Sequence, residues 1–120
     1  MLACVTSICG YAINDSLLKI FFGVPNPSAV LNGIRHGFNL LGGSSNSSFP
    51  SGHMVLAAAF AGVFMRLYRI SILPFSVLLL RAAMLLITGD WHVVSDVIAG
   101  TFVGVSTGFM AGEFWLARGK

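Results

Sequence analysis

Apolar residues in this chain come in four long runs separated by polar punctuation, not in short alternating stretches. The first run, Met1 to Phe22, predicts a helix. Asn14 and Asp15 interrupt it, and Asp15 stands four residues before Lys19, a spacing that pairs the two on one helix face. Gly23, Pro25 and Pro27 end it. Residues 23–50 then read as a long connection rich in Gly, Pro and Ser, which cannot sit in hydrocarbon. The second run predicts a helix over about 51–68, apolar on every side from Met54 to Met65 and closed by Arg66 and Arg69. The third covers about 71–88, with Pro74 in its first turn, where proline is tolerated. Gly89-Asp90-Trp91 make a short turn, Asp90 reading as a solvated turn residue. The fourth runs over about 93–117 and carries Gly100, Gly104, Gly108 and Gly112, the ridge of small residues by which membrane helices approach closely.

Composition gives these runs a solvent. Hydrophobic residues make up 56% of the 120 and charged ones 9%. A soluble fold of this size could not cover such a surface with polar side chains, whereas lipid solvates it directly. The expectation is one domain over 1–120, an all-α membrane bundle of about four transmembrane helices. Residues 1–13 carry no basic n-region, which favours a retained helix over a signal peptide. Cys4 and Cys9 read as small packing residues and do not fix a redox compartment. The net charge of +3 is scattered, with no basic stripe for nucleic acid. With Met1 inside, Arg66, Arg69, Arg118 and Lys120 fall on the cytoplasmic side, and Lys19, Arg35, His36, His53 and His92 fall outside. Trp91 and Tyr68 then mark the interfaces, and Glu113 is expected to pair with Arg118 or solvent.

Two short stretches carry candidate chemistry. In Pro50-Ser51-Gly52-His53, Ser51 is a natural N-cap, and the backbone N–H groups of a helix start make an anion site without side-chain charge. His53 in that first turn can give a proton to a bound oxyanion, although a capped helix with an incidental histidine reads the same. His92 and Asp96 are four apart and share a helix face, so the carboxylate can hold one ring nitrogen and leave the other as nucleophile or base. A surface pair is the bland alternative, but an aspartate opening an apolar helix is a functional candidate by default. No cluster has the spacing of a zinc or magnesium site, so neither metal nor cofactor is expected.

Taken together, Pro50-Ser51-Gly52-His53 and, about forty residues on, His92, Asp96, Val97 and Gly100 in a His-x-x-x-Asp-Val-x-x-Gly pattern resemble the type 2 phosphatidic acid phosphatase superfamily. Its first motif is a lysine, six intervening residues, then Arg-Pro. Lys19 and Pro27 match, and Asn26 stands where the arginine belongs. Its third motif expects an arginine six before the histidine, and that position is Leu86. The resemblance implies the core of the family's membrane fold, shortened by about two N-terminal helices. It also implies hydrolysis of a lipid phosphate or pyrophosphate without metal, on the extracytoplasmic face of a bacterial inner membrane. By it His92 attacks phosphorus, Asp96 orients His92, and His53 protonates the leaving alkoxide and then activates water. Lys19, Ser51 and Gly52 hold the phosphate, with Arg81, Arg35 and Asn26 as further candidates to replace the missing arginines. Sphingolipid synthases resemble this superfamily and also lack the third-motif arginine, so a phospho-headgroup transferase stays open beside the hydrolase. So do an inactive member and a homo-oligomer.

Overall fold

The computed structural model describes residues 1–24, 48–89 and 92–119, and all the regular structure among them is helical. Helix α1 begins at Leu2–Ile13, widens into a π-helical turn over Asn14–Leu18, and ends as an α-helical turn, Lys19–Phe22. Asn14 and Asp15 therefore do not break the first run; they widen it. Gly23 stops α1 in the left-handed conformation (φ 57°), which glycine adopts without steric cost. Helix α2 is Gly52–Leu67, helix α3 is Ile72–Thr88 after a 3₁₀ turn at Arg69–Ser71, and helix α4 is Val94–Arg118. Pro74 falls in the first turn of α3, where its missing N–H costs no bond.

The centre of the molecule is the α2–α4 pair, and the glycine ridge decides its geometry. Gly100 lies against Ser51, Gly104 against Val55 and Ala58, Gly108 against Ala59 and Gly62, and Gly112 against Arg66. Both sequences advance together, so the two helices are parallel. A β-carbon on Gly100 or Gly104 would stand 2.5 Å from the carbonyl oxygen of Ser51 or Val55, a distance that atoms cannot share. Backbone therefore meets backbone from Gly100 to Gly108, a little over two turns, and both helices start at the same end of the bundle. Helix α1 packs antiparallel across this pair, with Gly10 against Val55, Ala59 and Thr107. Helix α3 leans on it more loosely, mainly through Leu79.

Helix α2, at the centre, buries Met54, Val55, Val63 and Met65, but on α1 and α4 the radial pattern inverts that of a soluble protein. Helix α1 buries Ala3, Thr6, Ser7, Gly10 and Asn14 and turns Val5, Ile8, Ile13 and Leu17 outward. Helix α4 buries its glycines and exposes Ile98, Phe102, Met110 and Trp115. Small and polar groups make the close helix contacts, and large apolar groups face out, as in bundles that lipid solvates. Arg69–Thr88 and Val94–Arg118 are long and apolar enough to cross a membrane.

Two expectations are corrected here. Cys4 and Cys9 are exposed on the outer face of α1 and are not packing residues, because the narrow inner stripe is taken by Ala3, Thr6, Ser7 and Gly10. Glu113 pairs with Arg66, which the parallel register brings alongside Gly112, while Arg118 lies 4.3 Å over the Phe114 ring. Arg66, Arg69 and Arg118 sit at the end of the bundle remote from the starts of α2 and α4.

Candidate active site

The two stretches singled out in the sequence meet where α2 and α4 begin. The Ser51 N–H donates to the Asp96 carbonyl at 3.0 Å, a backbone bond joining one stretch directly to the other. Gly100 makes that bond reachable, since any side chain there would strike the Ser51 carbonyl. Ser51 itself is fully buried and caps α2, its hydroxyl accepting from the Met54 N–H at 3.5 Å. Gly52 is buried with its α-carbon towards Tyr11, whose ring would lie 2.9 Å from an added β-carbon. His53, the second residue of α2, is exposed.

His92 precedes α4, and its N–H is tied to the Leu86 carbonyl at the end of α3 (3.3 Å). Its Nδ1 is 3.4 Å from Asp96 Oδ2, with the imidazole 10% and the carboxylate 1% exposed. Asp96 also accepts from the Val93 N–H at 3.4 Å and the Ser95 hydroxyl at 3.5 Å. A buried carboxylate requires such donors, and they hold it in one orientation. With Nδ1 carrying the proton towards Asp96, Nε2 of His92 keeps its lone pair. The His53 and His92 rings stand edge to face, centroids 6.2 Å apart at 66°.

Helix α1 completes the surroundings. Asn14, fully buried, donates from Nδ2 to the Pro50 carbonyl at 3.2 Å and so pins the turn before Ser51. Its Oδ1 is buried with no hydrogen-bond partner among the described residues. The π-helical turn then matters. The Lys19 N–H bonds to the Asn14 carbonyl five residues back, stacking Lys19 above Asn14 on the inner face. In a regular α-helix a residue five positions on would be turned away by about 140°. Lys19 is accordingly buried, its Nζ 2.8 Å from Asp15 Oδ1.

The chain thus brings His53, His92 and Asp96 together with Ser51 and Gly52, and sets Lys19 one wide turn above the residue that holds Pro50. It does not bring Arg81. That residue is exposed on the side of α3 opposite Leu79, walled by Leu73, Pro74, Val77 and Leu78. Leu79 and Leu86 claim the inner face of α3, and Arg81 is half a turn away from both. The further phosphate candidates Arg35 and Asn26, as well as His36, Asp90 and Trp91, lie outside the described residues. Asn14 is the site residue that sequence reasoning overlooked. It read as an interruption, although an amide within an apolar run is itself a signal that something polar must be met.

Neither a curated protein nor a solved structure matches this chain. A family model does, over residues 1–119, which include the site and all four helices. The chain therefore belongs to the PAP2 superfamily, whose members are broadly phosphatases.

Proposed function

We propose that this chain is an integral membrane phosphatase that hydrolyses a lipid phosphate or pyrophosphate through a phosphohistidine on His92. The observation that carries the reading is the pairing at the helix starts: two imidazoles 6.2 Å apart, one of them backed by a buried carboxylate. Nε2 of His92 attacks phosphorus, and the bond to the lipid oxygen breaks. His53 gives its proton to that oxygen, so the alcohol leaves neutral. In the second step His53 takes a proton from water, the hydroxide oxygen bonds to phosphorus, and the P–N bond breaks to release phosphate and free His92. Asp96 stabilises the imidazole as it gains charge and fixes its tautomer. The starts of the parallel helices α2 and α4 turn their positive dipole ends towards the same place, which favours an anion there. Gly52, the Ser51 turn and Lys19 are the phosphate-binding groups in this reading.

A lipid substrate fits the surroundings. An apolar groove of about 610 Å³ between α3 and α4 starts at Val97 and Ile98, directly after Asp96, and descends past Ala83 to Met65. The reactive end lies on the extracytoplasmic face of a bacterial inner membrane in this reading, opposite Arg66, Arg69 and Arg118.

The test is release of inorganic phosphate from a short-chain lipid phosphate by the chain in lipid nanodiscs. His92→Ala is expected to lower the rate at least about 10³-fold. Hydrolysis surviving that change rejects His92 as nucleophile. An alcohol added as acceptor separates transfer from hydrolysis, since a transferase returns a new phosphoester in place of phosphate.

A further inference from the structure

Among the described residues Lys19 is the one lysine or arginine at the end of the bundle where α2 and α4 start; Arg66, Arg69 and Arg118 are at the other end and Arg81 faces outward. Lys19 is already taken. Asp15 holds its Nζ at 2.8 Å, in a pair whose lysine side chain is 11% exposed and whose carboxylate is 31% exposed. The π-helical turn that swings Lys19 inward carries Asp15 with it, so cation and counter-ion arrive as a unit. A phosphate entering between His53 and His92 meets a site whose described lysine is already paired.

Resting on the reading of this site as a phosphate site, we propose that Asp15 is a specificity-determining residue. It neutralises Lys19 and thereby tunes the site to a phosphate carrying one negative charge, a diester or a singly protonated monoester, over the doubly charged monoester. The physical ground is that repulsion from Asp15 scales with ligand charge. A dianion loses twice as much binding free energy to it as a monoanion does. The partial exposure of Asp15 screens the effect and sets its size at about an order of magnitude, not many.

The experiment is calorimetric titration of the full chain in zwitterionic nanodiscs with two probes. These are inorganic phosphate, at a pH where the dianion dominates, and dimethyl phosphate, which carries one charge. Asp15→Asn is expected to tighten inorganic phosphate about tenfold and dimethyl phosphate about threefold, the square root that follows from halving the ligand charge. Asp15→Ser, which also removes the charge, gives the same pair of factors and carries the test if the asparagine variant does not fold. Unchanged or weaker phosphate binding in a folded variant overturns the proposal, and so does equal tightening of both probes. The readout is binding and not turnover. It therefore separates a failure of this proposal from a failure of His92 as nucleophile.

Discussion

At the scale of single residues, the candidate site is where Asn14, Lys19, Ser51 and Asp96 carry polar groups into the interior. The pairing of His92 with Asp96 was legible in the sequence from their spacing of four, although a surface pair reads the same; the burial of the carboxylate was not. Nor was Asn14. Its amide reaches a carbonyl thirty-six residues away, and no local spacing announces such a bond. Arg81 misled for the opposite reason. Its distance from His92 along the chain fits the height of the site, but the rotation of α3 is decided by where Leu79 and Leu86 pack. Asn14→Leu is expected to preserve shape while leaving the buried Pro50 carbonyl without its donor. An orphaned buried acceptor costs about 1–3 kcal/mol. Thermal unfolding in detergent should show that loss, together with a lower hydrolysis rate as the Pro50–His53 turn loosens. An unchanged melting temperature would remove Asn14 from the site's support.

At the scale of elements, the glycines of α4 set both stability and the position of the chemistry. Their fourfold spacing was readable as a close-packing ridge, and the helices themselves were legible to within a few residues from hydropathy and proline. The alternation of the runs already placed both histidines at one end; the partner of the ridge depends on tertiary register and is not written in local pattern. Nor is the π-helical turn, because the inner position of Lys19 follows from how α1 packs on α2. Two glycines give a contrast within one experiment. A β-carbon on Gly10 would meet its nearest neighbours at 3.6–3.9 Å, ordinary contact. Gly10→Ala should therefore be neutral or stabilising by up to ~1 kcal/mol through helix propensity. On Gly104 the same atom would stand 2.7 Å from the Ala58 β-carbon and 2.9 Å from the Ala59 nitrogen. Gly104→Ala should force α2 and α4 apart, cost about 1–3 kcal/mol and depress activity, since the Ser51–Asp96 bond lies one turn above. Equal melting temperatures for the two variants would contradict the packing described here.

At the scale of the whole molecule, the distribution of charge along the bundle carries the prediction of orientation. Arg66, Arg69 and Arg118 gather at one end, and at the other the lysine is cancelled by Asp15. With the arginine-bearing end on the cytoplasmic side, as proposed, the starts of α2 and α4 face outward. In that orientation the outer end presents, among the described residues, two helix starts and a lysine already paired with Asp15. Single-cysteine labelling tests this arrangement. With Cys4 and Cys9 replaced by alanine, Ser95→Cys at the start of α4 should react with a membrane-impermeant maleimide added outside intact cells. Gly119→Cys, beyond the end of α4, should react only after the membrane is permeabilised. Both positions are exposed, so access depends on the side of the membrane and not on burial. Labelling of Gly119→Cys from outside with Ser95→Cys protected would invert the orientation. The histidine pair would then face the cytoplasm, and the substrate would have to come from the inner leaflet.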